Sequence, residues 1–336
     1  MKKIKYAAMI AVIMSVILCF PGCTGRGNKI EIGTGNHQGS YYSYAENIAK
    51  VSGDAVDLKI TMTAGSGANV RLLQKGFLGA AIVQNDILYA ASEKKGVFEN
   101  SDIVNKLDFS AVAGLYTESV QIVVRDESDI YSVEDLAKKR VSVCEEESGA
   151  IQNAEQILNA FGISFDDIEK YNLSFEESAD ALEKGEIDAF FVTAGAPTDA
   201  VLLLASKVPV RVLSLSERDI DKIKNKYPFY LTVTIPKETY EGMEEDIQTV
   251  GVRAVLVASN KLSNENVKKL TESILVHSAE LNEGIITDDG YDALEATAFI
   301  PIPFHPGAAE YYESVGVTVN TENKKSNGFV YGSQDW

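Results

Sequence analysis

Small polar residues and glycines recur where an apolar run gives way to a helical pattern, and that is the chemistry most visible in this chain. The leading case is Lys29–Lys50, KIEIGTGNHQGSYYSYAENIAK, where Ile30 and Ile32 alternate, Gly33, Gly35 and Gly39 punctuate a turn, and a helical pattern starts near Ser40. Backbone N–H groups at a helix start have no intrahelical acceptor, and the helix dipole adds positive potential, so such a turn can hold an anionic group. Gly35 is a candidate for close backbone approach to a ligand. Tyr41 and Tyr42 point about 100° apart on a helix, so one can pack while the other faces a cleft.

The same design returns along the chain. Ser66 and Asn69 open a second helix, either as plain caps or as a second N-terminus aimed at the same cleft. Gln84 and Asp86 follow a buried apolar run, although Asn85 and Asp86 can equally cap the next helix. Tyr116 ends the run FSAVAGLY and is a further candidate. Ser148 and Gly149 start a helix after Cys144 and can grip a carboxylate by hydroxyl and backbone N–H. Thr193, Gly195 and Pro197 form a matching turn, with Thr193 the side-chain donor. Arg71 and Arg125 are the charged candidates for a ligand carboxylate, with surface or hinge ion pairs as the plainer alternative. Glu145, Glu146 and Glu147 are a solvated charge run, a repulsive wall or a cation site.

Catalysis finds little support, and no residue is assigned a catalytic role. No G-x-S-x-G or triad spacing stands out. His37, His277 and His305 make no H-x-x-x-H pair and have no cysteine partner, so neither a metal nor a cofactor is expected. GTGNHQG is not a dinucleotide fingerprint: its spacing is G-x-G-x-x-x-G, and the second strand ends in Thr63-Ala64-Gly65 rather than an acid.

The elements that must position these groups alternate. Strands are expected at KIEIGTG, VDLKITMTAG (Val56, Leu58, Ile60 and Met62 inward), LGAAIVQND, FSAVAGLY, SVQIVVRDES, RVSVC, Ile187–Val192, VPVRVLSLS and TVGVRAVLVAS, with an edge strand in Tyr227–Tyr240. Helices lie between them. Ser66 is expected to cap the second, Pro197 to sit in the first turn of another, and NENVKKLTESILVHSAELNEG to form the longest. LQKGFLGAAIV and LEKGEIDAFFV share one plan of helix end, glycine and short apolar strand, which suggests two similarly built lobes.

The 336 residues are 45% hydrophobic and carry a formal charge of −18, enough for two domains and unlike a nucleic-acid-binding surface. Lys2, Lys3 and Lys5 precede the apolar run Tyr6–Phe20, which ends in Phe20-Pro21-Gly22-Cys23. This resembles a bacterial lipoprotein signal, with Cys23 the lipidated residue; an ordinary cleaved signal peptide is the alternative. Cys144 is then the last cysteine, so no intramolecular disulfide can form.

The ordered set GTGNHQGSYYSYAENIA, TAGSGANVRLLQKGFLGAAIVQNDI, DLAKKRVSVCEEESGA, GEIDAFFVTAGAPTDAV and PIPFHPGAAEYYESVGV resembles the TAXI-type solute receptors of TRAP transporters, within the type II periplasmic binding proteins. The resemblance covers residues 29–317 and implies an α/β fold of two lobes, each a mixed sheet flanked by helices, closing on a ligand between them. The implied division is a signal peptide 1–22, a linker 23–28, lobe 1 from 29–118 and 246–319, lobe 2 from 119–245, and a tail 320–336. The implied role is a non-enzymatic extracytoplasmic receptor, held on the membrane as a lipoprotein or periplasmic. It would pass a small organic acid, glutamate or dicarboxylate-like, to a TRAP permease. A ligand-sensing partner of a membrane sensor kinase and a secreted enzyme of similar fold are the alternatives. His37-Gln38, where the family tends to carry Gly or Thr, is where this chain's own selectivity is expected.

Overall fold

The computed structural model describes residues 29–37, 39–99, 106–285 and 290–322. The leader 1–22, Cys23, the linker, Gln38 and nearly all of the tail lie outside the described residues. Among the described residues no helix is long and apolar enough to cross a membrane.

The chain begins with three strand–helix units: Ile30–Gly33 (β1) and Ser40–Ser52 (α1), Leu58–Thr61 (β2) and Ser66–Gln74 (α2), Ala80–Gln84 (β3) and Asn85–Glu93 (α3). Phe109–Arg125 (β4) then runs for 17 residues. A second series follows: Arg140–Ser142 (β5), Gly149–Ala160 (α4), Glu169–Tyr171 (β6), Phe175–Lys184 (α5), Ala189–Ala194 (β7), Asp199–Ala205 (α6), Val210–Val212 (β8) and Glu217–Lys226 (α7). Leu231–Ile235 (β9) leads to Ile247–Ser259 (β10), and Asn264–Val276 (α8), Ser278–Leu281 (α9) and Pro306–Ser314 (α10) complete the order.

The strands join in one mixed sheet, β2-β1-β3-β10-β4-β7-β5-β6, with β8 on β4 and β9 on β10. β1 is parallel to β2 and β3, and β5 is parallel to β6 and β7, whereas β4 and β10 are antiparallel to each other. Both long strands change neighbour partway. β10 pairs with β3 over Ala254–Ala258 and with β9 over Ile247–Gly251, while β4 pairs with β7 over Ser119–Val124. The core divides at the same level. One apolar cluster joins Ile30–Tyr116 to Ala254–Tyr312, and two others lie between Val120 and Val252. The two-lobed α/β architecture is thus the expected one. The shared plan is visible too, for β3 after α2 and β7 after α5 are both wholly buried.

Several local expectations need correction. FSAVAGLY and SVQIVVRDES are one strand, because pairing with β10 continues through Thr117 and Glu118. Met62 is 60% exposed, since β2 is a sheet edge with only partial cover. Gly65, at φ 107°, takes the N-cap position of α2, so Ser66 falls inside the first turn and does not cap it. Pro197 precedes the N-cap of α6: Thr198 sits there, its N–H donating to Tyr240 Oη and its hydroxyl to Gly195 O. The helical pattern after Asn264 breaks at His277, whose φ and ψ of −109° and 20° leave the α region.

Asn69 ties the first lobe together. Its Nδ2 donates to Thr34 O at 2.7 Å and Ile82 O at 2.9 Å, and Thr63 Oγ1 lies 2.8 Å from its Oδ1. Asn69→Leu strands those buried carbonyls, so urea unfolding should show a loss of about 2–4 kcal/mol. An unchanged midpoint would mean that the bonds are not needed.

Candidate functional site

The site grows from the C-terminal ends of β1, β3 and β7, where open α/β sheets offer a crevice. A cavity of about 60 Å³ lies there, lined from the first lobe by residues including Gly35, Tyr41, Ser66, Gln84 and Glu118, and from the second by Glu145, Ser148, Gly149, Phe175 and Thr193. A larger recess of about 170 Å³ lies on the far side of Ser40, among Tyr44, Asn47, Pro197 and Leu281, where the starts of α1 and α6 come together.

Two helix starts meet at the first cavity. Ser148 caps α4, its Oγ accepting from Ile151 N at 3.2 Å. The start of α2 lies against the turn before α4, with Ala68 N donating to Glu147 O at 3.2 Å. Glycines permit this approach. A Cβ on Gly67 would stand 2.5 Å from Glu147 O, and one on Gly149 would stand 1.9 Å from Gln84 Oε1. Side chains join the same seam: Arg71 Nη1 lies 3.4 Å from Glu147 Oε1, and Asn36 Nδ2 donates to Glu145 Oε2 at 3.4 Å. The two lobes are therefore in direct contact beside the cavity.

Glu118, at the level where the strands change partners, is 2% exposed. A relay ends on it: Gln84 N–H donates to Ser66 Oγ at 3.1 Å, Ser66 Oγ lies 3.3 Å from Tyr41 Oη, and Tyr41 donates to Glu118 Oε2 at 2.9 Å. Burial pushes the Glu118 carboxyl up to about 8, helped by the Asp86 charge and opposed by hydrogen bonds from Tyr41 and Gln84. Asp86 is pushed up to about 7, again by burial, against a hydrogen bond from Asn153 Nδ2 at 3.0 Å. Burial also raises Glu145 and holds the Cys144 thiol far above its ordinary range, so Cys144 is no nucleophile.

Of the sequence candidates, Gly35, Tyr41, Ser66, Gln84, Ser148, Gly149 and Thr193 line this cavity together. The others stand elsewhere. Asn69 braces β1 and β3, and Asp86 lies behind the wall against Asn153. Tyr116 stacks on Tyr44 with centroids 4.7 Å apart, and Gly195 O accepts from Ser40 Oγ. Pro197 lines the larger recess, and half-buried Tyr42 lines neither. Arg71 is held by Glu147, while Arg125 binds Glu127 and the carbonyls of Leu182 and Glu183. Both are ion pairs, as the plainer alternative had it. Glu118 was missed. Its signal is a lone acid inside a long apolar strand, which burial makes costly unless the site uses it. No group of three or more potential metal ligands occurs among the described residues.

Two outcomes follow. Because both folded carboxyl values lie above ordinary ones, the folded chain keeps protons that the unfolded chain has released. That stability is complete below 4.5 and lost as pH rises through about 8 for Glu118. Urea unfolding from pH 5 to 9 should therefore cost the parent chain about 2–5 kcal/mol more than Glu118→Gln; parallel profiles would refute it. Gly149→Ala should hold the lobes apart, giving a larger radius of gyration in X-ray scattering with an unchanged thermal midpoint. An unaltered radius would show that Gln84 simply swings aside.

Solved structures share the architecture. A protein from Bordetella bronchiseptica RB50 aligns with a TM-score of 0.52 at 14% identity, over 89% of this chain and 85% of that one. A putative L-cystine ABC transporter from Listeria monocytogenes gives 0.49 at 15% identity, over 78% and 99%. The GluR0 ligand-binding core from Nostoc punctiforme, in complex with L-glutamate, gives 0.45 at 15%, over 76% and 99%. At such identities the Bordetella likeness speaks for the fold alone. Residues 32–316 match the model of the NMT1-like family, and the chain belongs to that family.

Proposed function

We propose that this protein is an extracytoplasmic solute receptor that carries its ligand rather than transforming it. The observation behind this role is the cavity whose wall is shared by two lobes, with helix starts from both lobes turned toward it and a pair of long strands crossing behind. Such a cavity opens and closes by hinge motion, with closure driven by contacts that only the closed form makes. Among the described residues no activated nucleophile faces it: burial raises the Cys144 thiol, and Ser148 serves as a cap.

In finer terms, the protein is a TAXI-type receptor that delivers a small organic acid, glutamate or dicarboxylate-like, to a TRAP permease. Residues 29–118 and 246–319 form one lobe and 119–245 the other. Cys23 anchors the chain to the outer face of the cell membrane by a lipid, and the charged n-region and apolar run before it supply the export signal. Gly35, Tyr41, Ser66, Gln84, Ser148, Gly149 and Thr193 contact the ligand, with the α4 start taking its carboxylate.

Thermal scanning against organic acids, amino acids, sugars and divalent metals tests this role. A true ligand at 100 times its Kd should add about 2.7 kcal/mol of apparent stability. A shift with a sugar or metal and none with any organic or amino acid would sink the ligand class.

A further inference from the structure

The polar groups of the cavity are unevenly matched. Among its lining residues are two carboxyls, Glu118 and Glu145, and no lysine, arginine or histidine. Gln84 gives its amide N–H to Glu118, which leaves Oε1 buried without a partner. Thr193 Oγ1, on a residue 5% exposed, also lacks one. Against this acceptor-rich wall stands the first turn of α4, whose Gly149 and Ala150 N–H groups have no intrahelical acceptor. The two walls adjoin, since Gln84 Oε1 packs on Gly149.

A ligand bearing carboxylates alone satisfies the α4 start but sets negative charge beside Glu118 and Glu145. It also leaves Gln84 Oε1 with no donor. A ligand with an ammonium next to its carboxylate satisfies both walls at once. Resting on the solute-receptor role above, we infer that the ligand is an α-amino acid, or a compound with the same adjoining ammonium and carboxylate, and that Glu118 receives the ammonium with Gln84 Oε1 and Thr193 Oγ1 beside it. Glu118 thereby decides between an amino acid and the oxo or plain acid of the same shape.

The proton balance follows. Ligand-free Glu118 is largely protonated at pH 7, and a cation placed beside it favours the carboxylate. Its O–H bond breaks, the proton goes to solvent, and the carboxylate accepts from the ammonium. Glu118 is faced by Tyr41 on α1, Asp86 on α3, Tyr116 on its own strand and Glu145 across the cleft. From the neighbouring strands it meets Val252 of β10 and Thr193 of β7, which do not titrate. Burial keeps both tyrosines neutral through this range, so Asp86 and Glu145, both raised by burial, are the groups able to add to the signal.

The test is titration calorimetry at pH 7, in two buffers of different ionisation enthalpy, with a panel of α-amino acids, each beside the 2-oxo acid of the same side chain. One amino acid should bind about a hundredfold tighter than its oxo partner and release close to one proton. Glu118→Gln should erase both the preference and most of the release. Equal or tighter binding of the oxo acid overturns the ammonium site but leaves the organic-acid receptor standing. A panel in which no amino acid binds also overturns it, and if the oxo acids are silent too, the organic-acid role falls with it.

Discussion

The pairing of β4 with β10 constrains where every other element can go. These strands are 17 and 13 residues long, and they are antiparallel in a sheet in which β1–β3 and β5–β7 form two parallel groups. Their register runs from Phe109↔Ser259 to Ser119↔Gly251, with irregularities near Arg253 and Leu256. Beyond Ser119, β4 takes β7 as a neighbour; beyond Ala254, β10 gives up β3. Strand pairing thus passes from one core to the other, with two local irregularities, while apolar packing does not. A body joined in that way bends where packing is absent and the backbone ladder persists.

The same place sets the electrostatics. A residue at the change of partners is covered by both lobes when they close, and Glu118 is there. Its carboxyl is stripped of water on every side and receives its hydrogen bonds from Tyr41 and Gln84, which belong to different elements of one lobe. Asp86, one element further back, is bonded across the seam to Asn153, which in turn donates to Tyr230. Two buried acids therefore sit along the line on which the lobes meet, one facing the cavity and one behind it. Apolar residues of the same size would be cheaper to bury.

Much of the fold was legible in the sequence because it follows from local pattern. The alternation of Ile30 and Ile32, the wholly apolar runs at Ala80–Gln84 and Ala189–Ala194, and glycines after helix ends each reflect a periodicity of two or 3.6. The turns after strands pointed to the cavity for the same reason, and Gly35, Ser66, Gln84, Ser148, Gly149 and Thr193 share it. What local pattern cannot carry is the identity of a neighbour. Asn69 looked like a helix opener, but its amide serves two carbonyls at 13 and 35 residues' separation. Asp86 looked like a cap, and its partner lies on the other lobe. Thr117 and Glu118 looked like a break between strands, since two polar residues interrupt an apolar run, and only the facing strand shows that the ladder continues.

Backbone enters the seam itself at two glycines. Gly67 against Glu147 O and Gly149 against Gln84 bring main chain to within reach of the opposite lobe. A glycine has no rotamers to surrender when it is covered, whereas a buried lysine, arginine or glutamine forfeits about 1.5–2 kcal/mol of side-chain entropy. Contact at these two positions is therefore made without freezing a side chain on the glycine.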